Sequence, residues 1–308
     1  MNTSKSVLER VRLSIGEDEP FSFDIKRDDL IDPIISGNKW RKLKYHLLKA
    51  KALGKTGILT FGGPFSNHLI ATAKAATVKG MEAIGIVRGE ELNEQSNDTL
   101  QKCFEYGMKL IFISRSEYRK KDDPYFIKEL AVKYSDFYIV SEGGKGYYGV
   151  VGCQHILTET ENDYDHVYLA GGTGTTAAGV LLSVPEKTKV HVISVLKGDF
   201  LLKDITYLLQ QVLNDDQLVE GYACHLNVIN NGHFGGYAKV PTELIEFINE
   251  VYDKTQLKLD PIYTGKAFFK MMEDYKNGVI KRNEKVLFIH TGGLQGSNSW
   301  RDSLKYLY

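Results

Sequence analysis

Short apolar runs alternate with segments of helical spacing along this chain of 308 residues, and no other feature restricts its fold as much. Most of these runs end at a glycine or a polar residue, which is typical of buried strands. Parallel strands need long crossovers, which are usually helices, so the alternation predicts mostly parallel sheets with helices on both faces. The predicted strands are 21–25, 57–61, 83–87, 109–113, 137–140, 166–170, 189–195 and 286–289. The first predicted helix starts after residue 38, and the others lie at 66–78, 94–106, 124–134, 154–160, 177–184, 201–213, 242–252 and 265–277.

Composition excludes several classes of function. The 39 basic and 39 acidic side chains balance, so bulk charge does not favour nucleic acid or an anionic membrane as a partner. The chain has no long uncharged apolar run and no hydrophobic signal core at its start. The cysteines form neither a disulfide framework nor a zinc spacing: Cys103, Cys153 and Cys224. We therefore expect a soluble cytoplasmic protein that binds no metal.

A lysine stands at the start of the first predicted helix, where Gly37 and Asn38 precede Lys39. Asn38 suits a helix N-cap, and Gly37 allows a tight turn before it. In the first turn, the helix dipole and the neighbours Arg41 and Lys42 disfavour another positive charge. The pKa of Lys39 is therefore predicted to be lowered, towards a free amine that can form a Schiff base. The alternative is the basic, solvated first turn of an ordinary surface helix.

A glycine–threonine loop joins the predicted strand 166–170 to the next predicted helix. Glycines let an anion approach the backbone, successive N–H groups point inward, and threonine hydroxyls add donors. The loop lacks a Walker lysine and the dinucleotide glycine spacing, so it predicts a site for one small phosphate group; the alternative is a set of tight turns. The loop consists of Gly171, Gly172, Thr173, Gly174, Thr175 and Thr176.

A second glycine loop, at 62–68, follows another predicted strand. Its N–H groups could hold a carboxylate, with Asn67 and His68 presented beside it. In the structural alternative, Ser66 only caps the following helix and His68 only makes a structural hydrogen bond. Tyr237 and Tyr263 also adjoin glycine turns, but with 18 tyrosines in the chain most must serve packing.

Five motifs in order resemble one family. They are Gly37-Asn38-Lys39-x-Arg41-Lys42-Leu43, Gly62-Gly63-x-x-Ser66-Asn67-His68, the loop 171–176, Tyr263-Thr264-Gly265-Lys266 and His290-Thr291-Gly292-Gly293. Together they resemble the pyridoxal-phosphate-dependent 1-aminocyclopropane-1-carboxylate deaminases and D-cysteine desulfhydrases, of the tryptophan-synthase-β fold type. The resemblance implies an enzyme that uses pyridoxal 5'-phosphate on a small amino acid.

The resemblance also implies roles for single residues. Lys39 would be the catalytic lysine that binds the cofactor aldehyde, and Lys42 with the loop 171–176 would hold the phosphate. Asn67 would bond the phenolic oxygen of the cofactor ring, with Thr264 and Thr291 near its pyridine nitrogen. The substrate would meet Ser66, Asn67, His68, Tyr237 and Tyr263, of which Ser66 and His68 would flank its carboxylate.

Two positions favour one branch of the family. The deaminase branch characteristically has Glu after the Tyr of the Tyr-x-Gly-Lys motif and Leu after the late His, where this chain has Thr264 and Thr291. Threonines leave a pyridine nitrogen less protonated than a carboxylate would, which suits loss of an α-proton before a good leaving group. The sequence therefore predicts β-elimination to pyruvate, ammonia and sulfide, with Lys39 as the base and Tyr263 or Ser66 assisting the leaving group.

Three other functions stay open. They are 1-aminocyclopropane-1-carboxylate deaminase activity giving 2-oxobutyrate and ammonia, a β-replacement synthase, and a non-catalytic phosphate- or amino-acid-binding protein. In architecture we expect two α/β lobes with the cofactor between them: a small one at 44–147 and a large one formed by 1–43 and 148–308. A homodimer is implied by the resemblance alone.

Overall fold

The computed structural model describes residues 3–16, 18–160 and 163–307. Its strands are β1 (Leu8–Leu13), β2 (Phe21–Lys26), β3 (Gly57–Gly62), β4 (Glu82–Arg88), β5 (Met108–Ile113), β6 (Phe137–Val140), β7 (His166–Gly171), β8 (Lys189–Ser194), β9 (Leu226–Ile229) and β10 (Val286–Ile289). Its α-helices are α1 (Gly37–Ala52), α2 (Asn67–Val78), α3 (Asp98–Glu105), α4 (Arg115–Tyr118), α5 (Pro124–Lys133), α6 (Tyr147–Thr158), α7 (Thr175–Leu181), α8 (Phe200–Leu213), α9 (Asp216–Ala223), α10 (Thr242–Thr255) and α11 (Thr264–Lys276). None of these helices is long and apolar enough to cross a membrane.

The chain divides into two compact units: Met1–Asn38 with Cys153–Tyr308, and Lys39–Gly152. The smaller unit therefore begins at 39 rather than 44 and ends at 152 rather than 147. Its two terminal segments belong to α1 and α6, which approach each other closely where Gly152 meets the backbone of Arg41.

The larger unit is built on a sheet with the strand order β1-β2-β10-β7-β8-β9. Strand β1 pairs antiparallel with β2, and the other neighbouring pairs are parallel. Strands β7 and β10 are buried along their whole length, as expected when helices cover both faces of a parallel sheet. Because β7 and β10 are parallel neighbours, the loops that follow them leave from the same edge of the sheet, where such sheets bind ligands.

The smaller unit is built on a parallel sheet with the order β5-β4-β3-β6. Its central strand β3 is fully buried and leads into the glycine turn before α2. The structural alternative for Ser66 is observed, since its side chain accepts hydrogen bonds from the backbone N–H groups of His68 and Leu69 and so caps α2. A cluster that includes Leu59 and Phe61 forms its core. The predicted α/β class with mostly parallel sheets is thus confirmed.

Several elements differ from their predicted bounds for local reasons. Helix α3 begins at Asp98 rather than 94, because the Asn97 side chain caps the N–H groups of Thr99 and Leu100. Helix α6 begins at Tyr147 rather than 154, so it includes Gly149 and Gly152. Strands β1 and β9 and helices α4 and α9 were not predicted. In β1 three of six residues are charged, which hides the alternation of an edge strand.

The contact between α1 and α6 leads to a stability prediction. A Cβ atom on Gly152 would lie 2.0 Å from the backbone oxygen of Arg41, which cannot move without shifting α1. We expect Gly152→Ala to lower the free energy of unfolding by about 1–3 kcal/mol or more.

A matched control for that substitution should change stability in the opposite direction. Gly221 lies within α9, and a Cβ atom there would have no neighbour within 4 Å. Gly221→Ala should therefore raise the free energy of unfolding by about 0.5–1 kcal/mol through helix propensity alone. Urea unfolding of both variants checks the pair, and equal effects would contradict the proposed clash.

Candidate active site

Helix α1 starts at a backbone crossing with the loop after β10. Gly37 has φ +47°, and a Cβ atom on it would lie 2.2 Å from the backbone oxygen of Thr291. The same oxygen accepts the N–H of Asn38 at 3.2 Å, and the hydroxyl of Ser36 accepts the N–H of Gly293 at 3.0 Å. Glycine at position 37 is therefore required by a close approach as well as by its φ angle.

The predicted N-cap role of Asn38 is wrong. Helix α1 already includes Gly37, and the side-chain amide of Asn38 donates instead to the hydroxyl of Thr176 at 3.0 Å. Asn38 therefore ties the start of α1 to the end of the glycine–threonine loop. Lys39 follows Asn38 directly in the chain and is half-buried in the first turn of α1.

The glycine–threonine loop lies between β7 and α7, as predicted, but Thr175 and Thr176 belong to the helix. Gly174 has φ +75°, and a Cβ atom on it would lie 2.8 Å from the Ile205 side chain. The hydroxyls of Thr173 and Thr175 lie 3.1 Å apart. The loop thus combines backbone N–H groups and hydroxyls with no acidic side chain, a donor set that suits a small anion.

The two tyrosines singled out from the sequence lie together beside this loop. A Cβ atom on Gly172 would lie 3.4 Å from the Tyr263 ring. The Tyr263 hydroxyl donates to that of Tyr237 at 3.3 Å, and the rings are 5.8 Å apart in an edge-to-face arrangement. The structure therefore brings Tyr237, Tyr263 and the loop into one group.

Asp260 fixes the turn that carries Tyr263, and sequence reasoning missed it. One carboxylate oxygen accepts the N–H groups of Ile262 and Tyr263 at 3.0 and 2.7 Å. The other accepts the N–H and the hydroxyl of Thr264 at 2.9 and 2.6 Å. The hydroxyl proton of Thr264 is thus directed to Asp260, whereas the sequence placed this hydroxyl near a pyridine nitrogen. An Asp before a helix start was the available signal.

In the smaller unit, Lys39, Lys42 and His68 form a second group. Lys42 is buried, and its side chain lies within 3.1 Å of a Cβ atom built on Gly144, which also approaches the His68 ring. Burial, followed by the positive charges of Lys39 and Lys42, holds the pKa of His68 well below its ordinary 6.5. These two charges therefore create a local positive potential that suits an anionic group.

The hydrogen bonds of His68 decide its tautomer. The hydroxyl of Thr60 donates to the backbone oxygen of Val140 at 2.7 Å, so it can only accept from His68 Nε2, which lies 2.9 Å away. His68 Nδ1 is then a lone-pair acceptor, and it is buried without a partner. In this tautomer His68 offers no N–H to a carboxylate, so a carboxylate held there would need other donors. Candidates are the neighbouring Ser66, at the N-cap, and Asn67, the first residue of α2.

Comparison with known proteins gives the family. The family model described as "Pyridoxal-phosphate dependent enzyme" matches residues 12–292. A Pyrococcus horikoshii protein named "Putative 1-aminocyclopropane-1-carboxylate deaminase" is 31% identical over 286 residues, covering 91% of this chain and 87% of that protein. The Arabidopsis thaliana protein "Bifunctional D-cysteine desulfhydrase/1-aminocyclopropane-1-carboxylate deaminase, mitochondrial" is 30% identical to this chain. The match covers 88% of this chain and 72% of that protein.

A solved structure agrees with these relatives. The crystal structure of an ACC deaminase homologue superposes with a TM-score of 0.77 and 28% identity, covering 94% of this chain and 89% of that one. Pyridoxal phosphate needs an amine for its aldehyde and donors for its phosphate, and the chain offers Lys39 and the acid-free loop 171–176. The positive charges of Lys39 and Lys42, which help to lower the pKa of the buried His68, likewise fit an anionic ligand. The chain thus belongs to the pyridoxal-phosphate-dependent enzymes, in the family of 1-aminocyclopropane-1-carboxylate deaminases and D-cysteine desulfhydrases.

Proposed function

We propose that this enzyme catalyses β-elimination on cysteine, with D-cysteine as the preferred substrate, and releases pyruvate, ammonia and sulfide. The observation that carries the proposal is Thr264. The deaminase branch has Glu at this position, whereas here a neutral hydroxyl stands there and donates its proton to Asp260 at 2.6 Å. A less protonated pyridine ring suffices when sulfide leaves from the β-carbon.

The cofactor would be held by residues of both described groups. Lys39 would bind its aldehyde, and Lys42 with the loop 171–176 would bind its phosphate. Asn67 would bond its phenolic oxygen, and Thr291 would lie near its pyridine nitrogen. When bound, the cofactor supplies an electron sink for the negative charge that develops on the α-carbon of the substrate.

The side chains of this chain would move the protons. Lys39, as a free amine, would take the proton from the α-carbon of the substrate. The Cβ–S bond then breaks, and the thiolate takes a proton from the Tyr237–Tyr263 pair, whose hydroxyls lie 3.3 Å apart. Ser66 is a second candidate for this step. Addition of one water molecule to the remaining enamine gives pyruvate and ammonia, so the reaction balances without an oxidant.

A second activity, deamination of 1-aminocyclopropane-1-carboxylate, is supported by the name of the Pyrococcus horikoshii relative, at 31% identity. The bifunctional name of the Arabidopsis thaliana relative is consistent with both activities in one protein. A homodimer, implied by the resemblance alone, and a cytoplasmic location, expected from the composition, complete the proposal.

A three-substrate comparison tests this function. Purified holoenzyme is incubated with D-cysteine, L-cysteine or 1-aminocyclopropane-1-carboxylate, and sulfide, pyruvate and 2-oxobutyrate are measured. We expect sulfide and pyruvate in equal amounts from D-cysteine, with a kcat/KM at least ~10-fold above that for the cyclopropane, a difference of about 1.4 kcal/mol. Faster release of 2-oxobutyrate would reverse the assignment. Turnover that needs a second nucleophile would indicate a β-replacement synthase, and a colourless protein inert to borohydride would indicate a binding protein.

A further inference from the structure

Lys266, the last residue of the Tyr-x-Gly-Lys motif, has no role in the chemistry above, yet its environment is unusual for a lysine. Its side chain is fully buried, and its ammonium group donates to three backbone carbonyl oxygens. These belong to His233 at 3.0 Å, Gly236 at 2.9 Å and Tyr237 at 3.1 Å. An ammonium group has three N–H donors and no acceptor, so its hydrogen-bonding capacity matches the three carbonyls.

The loop that provides these carbonyls has a backbone that needs anchoring. Three successive residues have positive φ angles: Phe234 at +52°, Gly235 at +90° and Gly236 at +145°. A bulky residue rarely adopts a left-handed conformation, and such a conformation persists only where the surrounding structure holds the residue in it. One anchor is the Phe234 ring, which packs edge-to-face on Phe269 at 5.2 Å. The ammonium of Lys266 is the other.

The loop ends at Tyr237, one of the two tyrosines beside the glycine–threonine loop. Tyr237 accepts a hydrogen bond from Tyr263, whose ring lies against Gly172. Lys266 is the third residue of α11 and follows Tyr263 by about one helical turn. Lys266 therefore belongs to the helix that starts directly after Tyr263, and its ammonium group is hydrogen-bonded to the loop that carries Tyr237.

We propose that Lys266 is a positioning residue that holds the 233–237 loop by its carbonyl groups and thereby sets the Tyr237–Tyr263 hydroxyl pair beside the glycine–threonine loop. The proposal rests on the proposed function in assigning this pair to the substrate side. The anchoring of the loop does not depend on which substrate is used.

The protonation of Lys266 gives an independent means of testing the anchor. Burial lowers its pKa to about 8, and the carboxylate of Asp260 opposes this effect. A neutral amine has only two N–H donors for three carbonyls, so raising the pH through about 8 should loosen the loop. The titratable groups facing this region are Asp260 and Tyr263 at the start of α11, and His233, Tyr237 and Lys239 on the loop.

The first test is a double-mutant cycle with Lys266→Met and Tyr237→Phe. Methionine keeps the length of the side chain but removes the ammonium donor from all three carbonyls, so that His233 and Gly236 keep only a backbone N–H partner each. We expect Lys266→Met to lower kcat/KM on D-cysteine by ~10–100-fold in the wild type and by less than ~3-fold in the Tyr237→Phe background, because it acts through Tyr237. Equal losses in both backgrounds would overturn the positioning role. Lys276→Met, at the exposed end of the same helix, should leave kcat/KM unchanged in both backgrounds.

The second test measures amide hydrogen exchange and needs no turnover. Exchange at 233–237 should speed up at least ~10-fold in Lys266→Met but not in Lys276→Met, with the cofactor still bound. In the wild type, exchange there, corrected for its intrinsic pH dependence, should speed up between pH 7 and 9. The wild-type measurement remains decisive if the Lys266→Met variant fails to fold. Unchanged exchange would overturn the anchor, whereas a wild type that turns over none of the three amino acids would overturn only the proposed function.

Discussion

Replacing Lys39 with alanine should abolish both turnover and the visible absorbance of the bound cofactor. Lys39 is proposed to bind the cofactor aldehyde and to remove the α-proton, so the substitution removes both roles at once. The loss in kcat/KM should be at least ~10³-fold, because a single positioned acid–base group contributes about 10²–10⁴-fold. Absorbance spectra after gel filtration, together with release of keto acid, measure the two effects.

The control for this substitution is Lys51→Ala, on an exposed position of the same helix. It should retain colour and activity. Borohydride reduction followed by peptide mapping gives a direct check, because the reduced adduct should lie on the peptide that contains Lys39. An adduct on any other lysine, or a Lys39→Ala protein that stays yellow and active, would refute the assignment.

Acidification should destabilise the fold sharply below pH 6.5, because three buried histidines are neutral in it. Burial lowers the pKa of His46 to about 4 and that of His191 to about 3, and the pKa of His68 lies well below 6.5. Between pH 6.5 and about 4 the unfolded chain takes up protons that the folded chain cannot accept, so stability is present above 6.5 and is lost as the pH falls. His46 and His191 each cost about 2 kcal/mol of stability at pH 5.

Together these two histidines cost about 4 kcal/mol, a large fraction of the stability of an ordinary domain, and His68 acts in the same direction. Urea unfolding of the holoenzyme between pH 7.5 and 4.5 measures the slope. In His191→Gln the slope should fall by about 1.4 kcal/mol per pH unit, the value for one proton. His155→Gln, at an exposed position on α6, should leave it unchanged. A wild-type stability that stays flat from pH 6.5 to 5 would contradict the neutral state of these histidines.

His68 also shows which features could not be predicted from the sequence. The sequence presented His68 as a residue flanking the substrate carboxylate, because it follows a glycine loop. Its actual hydrogen bond goes to Thr60, whose own proton is taken by Val140, 80 residues away. No pattern near position 68 carries that information. The role of Ser66 as a helix cap, by contrast, depends only on the next three residues, and the sequence already offered it as the structural alternative.

Helices and strands show the same contrast between features set by the local sequence and features set by tertiary contacts. Except for the short helix α4, the strand–helix order from β3 to β8 and the last strand β10 were predicted because each has a local apolar pattern. Strand β1 was missed because an edge strand with three charges has almost no apolar pattern, and its pairing with β2 comes only from tertiary structure. Helix α1 was placed correctly, but the partner of Asn38 was not, since Thr176 is 138 residues away.

By itself, the sequence determined the order of most of the elements, the family and the position of Lys39 in the first turn of a helix. These depend on periodicity and motifs that are local in the chain. Only the tertiary structure decided that Asn38 binds Thr176, that Gly37 crosses Thr291, and that the buried ammonium of Lys266 binds three carbonyls of another loop. The physical reason is that a hydrogen bond or a close backbone contact depends on positions in space, and its partners here lie from about 30 to more than 250 residues apart.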